Sequence, residues 1–288
     1  MIGDLPRDVV ALVNGAPPKA SLLLSRALHY GDGVFRTLLR VEGRWLDFDR
    51  HYVKLVHDCR ALGLDPPHVG QLEAELESLG GGRSQAVVGK IILARSGAGR
   101  GYAPSSRQCE RILLRYPAPR YPASCWNEGV AATLSSVVLS EQPLLAGVKH
   151  LNRLENMLAA RGWQQGVQEA LLCNAAGHLI CGSRSNVFWV RDGRLHTPRL
   201  SGCGVAGMMR AKVLDAARAM GVPGEMVEAP VAELQKASEA FLSNSLIGVW
   251  PLRCLDHHQF LAPGPLTLRL QAALAQPLLV DMPQSAMS

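Results

Sequence analysis

Pro117-Ala118-Pro119-Arg120-Tyr121-Pro122 places three prolines within six residues. Proline fixes φ and removes a backbone donor, so such a stretch neither continues a helix nor sits inside a sheet. It reads as a connector, residues 118–122, between a small N-terminal part, 1–117, and a larger C-terminal part, 123–288. Backward from it, Ile112–Leu114 and Ala86–Ala94 are apolar runs that read as buried strands, the second preceded by a Gly-rich turn at 80–82. Phe35–Arg40 and Arg44–Asp47 flank Glu42-Gly43, a hairpin signal. Val9–Val13 is a further strand, ended by Asn14-Gly15. Asp49 opens a helix in which Tyr52, Leu55, Val56, Cys59 and Leu62 recur at helical spacing until Gly63 stops it. Forward from the prolines, strands are expected at Val130–Leu139, Ala170–Cys173, Val187–Val190, Arg194–His196 and Ala240–Leu242. Helices are expected at Asn152–Gln165 and Gly207–Gly221. The end beyond about residue 277 reads as loosely held. Each half mixes helices with strands, which predicts a two-domain α+β fold.

Composition bounds the function. Of 288 residues, 48% are apolar and 19% charged, which is globular and excludes a mainly disordered, collagen-like or coiled-coil chain. No apolar run approaches the roughly 18–20 residues of a membrane span. The first residues, Met1-Ile2-Gly3-Asp4-Leu5-Pro6-Arg7-Asp8, carry acids and a proline where a signal peptide needs an apolar stretch, so a cytoplasmic location is expected. Seven cysteines, at 59, 109, 125, 173, 181, 203 and 254, include no C-x-x-C pair, which argues against a zinc site and for a reducing compartment. The net charge of +6 is dispersed and aromatics are only 5%, poor for stacking on bases. Small anions suit this charge better than nucleic acid.

Four segments are more polar than packing requires. Tyr30-Gly31-Asp32-Gly33-Val34-Phe35 is a turn between apolar runs, explained by local backbone freedom alone. Arg95-Ser96-Gly97-Ala98-Gly99-Arg100-Gly101-Tyr102 follows a buried strand and reads either as a carboxylate clamp or as a solvated basic loop. In Gly147-Val148-Lys149-His150-Leu151-Asn152-Arg153-Leu154-Glu155-Asn156, Lys149 lies between an apolar stretch and a helix start. A lysine held in a partly apolar pocket forms Schiff bases, whereas most lone lysines are simply exposed. Gly202-Cys203-Gly204-Val205-Ala206-Gly207 matches G-x-G-x-x-G, with Glu225 about 20 residues on. The residues before it, Thr197–Ser201, do not read as a buried strand, and the motif comes late for a dinucleotide fold. The helix start after these glycines suits a phosphate.

Together these segments resemble the fold-type IV pyridoxal-phosphate enzymes, from Val13-Asn14-Gly15 to Trp250-Pro251. That family holds branched-chain and D-amino-acid aminotransferases and 4-amino-4-deoxychorismate lyase. Lys149-His150-Leu151-Asn152-Arg153-Leu154-Glu155 and Arg100-Gly101-Tyr102 are most similar to the lyase. The resemblance implies that Lys149 bonds pyridoxal 5'-phosphate covalently and moves the proton, with Thr37 also at the reacting centre. It implies that Gly207, Met208 and Met209 hold the phosphate, and that Ser185, Asn186 and Ser245 belong to the cofactor pocket. Phe35, Arg100 and Tyr102 fall on the substrate side, facing a small dicarboxylate. Family members are homodimers, and neither a metal nor a nucleic acid is implied.

Three positions depart from the family pattern. Cys181, in Cys181-Gly182-Ser183-Arg184-Ser185-Asn186, takes the place of a glutamate that protonates the pyridine nitrogen, and a thiol does this poorly. Lys54 replaces a phosphate-binding arginine, keeping the sign of the charge but losing the fork. Phe35-Arg36-Thr37 brings in Arg36, a cation that either nears the substrate or points to solvent. The reaction implied is lysis of aminodeoxychorismate to p-aminobenzoate and pyruvate. The alternatives are an aminotransferase of the same fold, a cofactor-binding protein that has lost catalysis, and a nicotinamide enzyme using Gly202–Gly207.

Overall fold

The computed structural model describes residues 6, 8–80, 85–97, 101–163 and 165–281. The chain forms two compact units, Met1–Ala118 with Val148–Asn152, and Pro119–Gly147 with Arg153–Ser288.

The first unit contains β1 (Val10–Val13), α1 (Arg26–Tyr30), β2 (Gly33–Val41), β3 (Arg44–Trp45), α2 (Phe48–Ala61), α3 (Val69–Ser78), β4 (Val87–Arg95) and β5 (Cys109–Pro117). Its antiparallel sheet runs β1-β5-β4-β2-β3. Glu42 and Gly43 both have positive φ, 51° and 80°, as the tight turn between β2 and β3 demands. Alternation along β2 sends Val34 and Leu38 into a core with Leu55 and Cys59 of α2 and Leu72 and Leu76 of α3. Gly89 is glycine because a Cβ there would lie 2.6 Å from the Trp45 ring. α3 is not anticipated above. Leu72, Leu76 and Leu79 do recur at helical spacing and are buried, but Asp65-Pro66-Pro67 masks the start of the helix.

Residues 148–152, expected in the second half and partly in a helix, belong to the first unit as an extended segment. Val34 bridges His150. Phe35 donates its N–H to the Lys149 carbonyl at 2.9 Å, and Leu151 donates to the Gly33 carbonyl at 3.0 Å. Pairing with β2 draws these residues out of the helix expected from Asn152, which begins only at Leu154 and ends at Arg161.

The second unit contains α4 (Ser124–Asn127), β6 (Val130–Leu139), α5 (Leu154–Arg161), β7 (Glu169–Asn174), β8 (Leu179–Gly182), β9 (Asn186–Arg191), β10 (Arg194–Pro198), α6 (Met208–Ala219), β11 (Gly224–Val227), α7 (Val231–Gln235), β12 (Glu239–Asn244), β13 (Gly248–Leu255), β14 (His258–Gln259) and α8 (Pro265–Leu274). Its mixed sheet runs β11-β10-β9-β12-β13-β6-β7-β8, with β14 on β13. Phe188 of β9 stacks on Phe241 of β12 at 5.0 Å. The pair packs with Met209, Val213 and Ala217 of α6 and Leu266 and Leu270 of α8. A second core gathers Leu139, Ala159, Ala170, Leu172, Ile180, Cys181 and Cys203.

The proline-rich connector pairs with residues 279–281, part of the end expected to be loosely held. Tyr121 donates to the Leu279 carbonyl at 2.8 Å and Asp281 donates to the Tyr121 carbonyl at 3.0 Å. The Tyr121 ring meets Trp250 edge-on at 4.9 Å. Residues 279–281 are held by this backbone pairing with Tyr121, and residues 282–288 lie outside the described residues.

Candidate active site

In the first unit, strand alternation puts Phe35 and Thr37 on one face of β2 and Arg36 on the other. Phe35 and Lys149 are brought together: the Lys149 Nζ lies 4.3 Å from the Phe35 ring centroid. The Lys90 Nζ lies 5.2 Å from the same ring. Lys90 stands directly across from Thr37 in the β2–β4 register. Burial lowers the Lys90 pKa, because desolvation penalises its charge. Sequence reasoning passed over Lys90, since a lysine inside an apolar strand run carries no motif. Lys54, on α2, is half-buried one turn before Asp58, and its carbonyl accepts from Arg36 Nη2 at 3.3 Å.

Arg36 neither approaches a substrate nor points to solvent. It is 2% exposed and forms an ion pair with Asp58, itself fully buried. Desolvation lowers the Arg36 pKa, and the adjacent Asp58 charge opposes that shift. Asp58 Oδ2 also accepts the Lys149 N–H at 3.2 Å.

The basic loop is partly a structural knot. Arg95 spends its fork on Asp32 Oδ2 at 2.9 Å, the Leu62 carbonyl at 2.6 Å and the Ser106 carbonyl at 3.0 Å. Arg26 joins the same Asp32 oxygen at 2.9 Å and holds the carbonyls of Gly101 and Tyr102 at 2.9 and 3.2 Å. Tyr102 is thereby anchored through its backbone. Its ring is 87% exposed and meets Tyr30 edge-on at 5.7 Å. Arg100 lies outside the described residues.

In the second unit, Asn186, at the head of β9, organises the loop before α6. Its Nδ2 donates to the Val205 carbonyl at 2.8 Å, and its Oδ1 accepts the Gly207 N–H at 3.2 Å. Gly207 is the N-cap of α6 and brings no capping side chain, and a Cβ there would collide with Asn186 Oδ1. A twelve-residue helix thus begins at Gly207-Met208-Met209 with its amides and the positive end of its dipole uncapped by the N-cap residue. Gly147 pairs with this loop: it donates to the Gly204 carbonyl at 3.0 Å and accepts from Ala206 at 3.0 Å. Behind α6, Arg210 is buried on the Pro198 carbonyl at 2.9 Å.

Cys181, on β8, is buried, and burial followed by the nearby Glu169 pushes its thiol up to about 12. It is therefore neutral at physiological pH. Glu169, 2% exposed at the head of β7, collects the polar groups around it. Its Oε1 accepts from the Ser183 N–H at 2.9 Å, the Ser183 hydroxyl at 2.5 Å and the Ala170 N–H at 2.9 Å. Its Oε2 accepts from the Ser185 hydroxyl at 2.6 Å. Ser185 thus spends its proton on Glu169. Sequence reasoning missed Glu169, although an acid opening an otherwise apolar strand is a signal for a buried carboxylate. Ser243, directly across from Asn186 on β12, is fully buried. Ser245 follows in a turn whose carbonyl accepts from Gln276 at 3.1 Å.

Gly202–Gly207 does follow a strand, since β10 runs through the buried Thr197 and Pro198. The sequence reading ended that strand at His196. Glu225, the acid about 20 residues beyond the motif, pairs with Arg194 at 2.6 Å. Among the described residues no group of three or more His, Cys, Asp or Glu is placed to hold a metal ion.

Comparison with known proteins gives a consistent result. Residues 33–255 match the family described as amino-transferase class IV. The aminodeoxychorismate lyase of Vibrio harveyi is 31% identical over 269 residues, 91% of this chain and 98% of that protein. The crystal structure of 4-amino-4-deoxychorismate lyase from Pseudomonas aeruginosa superposes with a TM-score of 0.84 at 39% identity, covering 93% of this chain and 99% of that one. A D-alanine aminotransferase of Listeria monocytogenes is 26% identical over 85% of this chain and 86% of its own.

Proposed function

The chain belongs to the class IV aminotransferase family, and we propose that within it the chain is a pyridoxal-phosphate-dependent lyase converting 4-amino-4-deoxychorismate to p-aminobenzoate and pyruvate. One observation carries the choice of reaction: likeness over nearly the whole chain to two such lyases, at 31% and 39% identity. Aminotransferases aligned over similar lengths reach 26–27%.

Within each unit the residues suit the parts of the cofactor that the resemblance assigns to them. The resemblance assigns the phosphate to the α6 start at Gly207, Met208 and Met209, where the Gly207 N–H is held by Asn186 and the following amides and the positive dipole end suit an anion, and it assigns Lys54 to the same phosphate as a cation. Lys149 is the amine for its carbonyl carbon. Cys181, Ser185, Asn186 and Ser245 are assigned to the remainder of the pocket, Phe35, Thr37, Arg100 and Tyr102 to the substrate. Lys90, beside the same ring as Lys149, is a further cation for a substrate with two carboxylates.

Bound pyridoxal phosphate supplies an electron-withdrawing ring conjugated to the substrate nitrogen. The Lys149 amine takes the proton from the amine-bearing ring carbon. That electron pair moves into the substrate ring, the bond from the neighbouring carbon to the enolpyruvyl oxygen breaks, and the oxygen leaves with the bonding pair. The ring becomes aromatic, and the released enol takes a proton on carbon to give pyruvate. Aromatisation drives the step, so a neutral thiol at Cys181 suffices where transamination needs a stronger electron sink.

Homodimerisation belongs to the same proposal. It is supported by Leu154, Met157 and Leu158, at i, i+3 and i+4 of α5, which are 78%, 62% and 50% exposed in the single chain. A cytoplasmic location is supported by seven cysteines that are all free. No helix among the described residues is long and apolar enough to cross a membrane. The test offers the protein two substrate sets: aminodeoxychorismate generated in place by its synthase, and D- or branched-chain amino acids with a keto acid. p-Aminobenzoate from the first set supports the proposal; keto-acid turnover from the second alone overturns it.

A further inference from the structure

We propose that Asp58, fixed by Arg36, is a positioning residue for Lys149. The inference rests on the reading of Lys149 as the cofactor lysine. Residues 148–152 form a short edge segment whose ladder bonds to β2 use the Lys149 carbonyl and the Leu151 N–H. The ladder leaves the Lys149 N–H over, and Asp58 Oδ2 takes it at 3.2 Å. The same oxygen receives Arg36 Nη2. The two sides of Lys149 are therefore tied to different elements, its carbonyl to β2 and its N–H to α2. Its side chain projects over Phe35 from a backbone held at both ends.

The pair is an expensive way to hold a sheet edge. Arg36 is 2% exposed, Asp58 is fully buried, and Arg36 Nε has no hydrogen-bond partner. Buried ion pairs add little net stability over apolar residues of the same volume, and their better-supported use is to specify one geometry. Besides local contacts within α2, at the Lys54 carbonyl and His57, the pair holds the backbone of Lys149, 91 positions along the chain from Asp58. A catalytic amine must be held to within a fraction of an ångström by groups that are themselves locked. Arg36 locks Asp58 from β2, and the Asp58 oxygen locks Lys149.

The test uses the cofactor-loaded protein labelled with [15N]lysine, which reports the amides of Lys149 and of Lys90 in mid-sheet. In Arg36→Met/Asp58→Leu the charges go and no acceptor remains. The Lys149 amide is expected to exchange at least about tenfold faster, as for loss of one hydrogen bond, with Lys90 unchanged. kcat is expected to fall about tenfold at unchanged KM. Arg36→Met/Asp58→Asn restores an uncharged acceptor and is expected to recover both quantities to within about threefold of wild type. A merely structural pair would change both amides together and leave kcat alone. Wild-type exchange and kcat in the leucine variant overturn the proposal, as does failure of the asparagine variant to recover. If the leucine variant does not fold, Asp58→Ala in the Arg36→Met background reads the same quantities. Lys149→Ala separates the two levels. If it retains turnover, the reading of Lys149 fails and the proposal with it. If it abolishes turnover while the leucine variant behaves as wild type, the positioning proposal alone fails.

Discussion

Glu169 accepts both the backbone N–H and the hydroxyl of Ser183 on a single carboxyl oxygen, at 2.9 and 2.5 Å, while its other oxygen holds Ser185. One buried side chain thus shapes the turn between β8 and β9. Glu169→Ala strands several buried donors, each costing about 1–3 kcal/mol. With four such donors we expect a total loss of at least about 4 kcal/mol, read as a fall in Tm of about 8–16 °C. A Tm within about 2 °C of wild type would show that the turn does not depend on this carboxyl.

Asn186 stitches the loop before α6 with two hydrogen bonds. Asn186→Ala removes both and frees the Gly207 amide. We expect pyridoxal phosphate to bind at least about tenfold more weakly, with a stability loss of about 1–2 kcal/mol. The ratio of Kd values from fluorescence titration checks this, and an unchanged Kd removes Asn186 from the phosphate site.

Cys181 titrates at about 12 when folded and near the ordinary thiol value when unfolded. Between those values the unfolded chain loses a proton that the folded chain keeps, so rising pH favours unfolding. The stability tied to this thiol is present below about pH 9 and declines above it by up to about 1.4 kcal/mol per pH unit. Comparing denaturant midpoints of wild type and Cys181→Ala from pH 8 to 10.5 isolates that slope. Parallel pH curves would contradict a buried neutral thiol.

Under the proposed function, Cys181→Glu would restore the carboxyl that the family pattern sets against the pyridine nitrogen. The account expects measurable aminotransferase activity to emerge while lyase activity persists. If transamination stays absent, or lyase activity collapses, the explanation of Cys181 is wrong.

Lys90, across from Thr37 and beside the ring that carries Lys149, is expected to bind a substrate carboxylate. Lys90→Met keeps the apolar stem and removes the charge. KM is expected to rise about ten- to a hundredfold with a smaller change in kcat, the pattern of lost ground-state binding. Steady-state kinetics decide it, and an unchanged KM excludes Lys90 from binding.

The sequence revealed most where structure is local. The Glu42-Gly43 hairpin and the apolar run of β4 follow from turn chemistry and side-chain period. β13 was hidden because Pro251 interrupts a strand that lies inside the sheet, between β12 and β6. The extended form of 148–152 is set by pairing with β2, more than 100 residues earlier in the chain, so no local pattern announces it. Lys149, Asn186 and Gly207 stand out through motifs. Glu169, Lys90 and Asp58 matter only through neighbours brought by the fold, and each looks ordinary in sequence. The sequence leaves Arg36 open between substrate and solvent, and the Arg95 loop between a carboxylate clamp and a solvated loop, because it does not display the carboxyl groups, Asp58 and Asp32, that take these arginines up.

The most direct test follows p-aminobenzoate fluorescence from aminodeoxychorismate made in place by its synthase, with wild-type protein and Lys149→Ala side by side. The account predicts product with the wild type and none above background with Lys149→Ala, at equal folded concentration. Equal product from both, or none from a cofactor-loaded wild type, would contradict it.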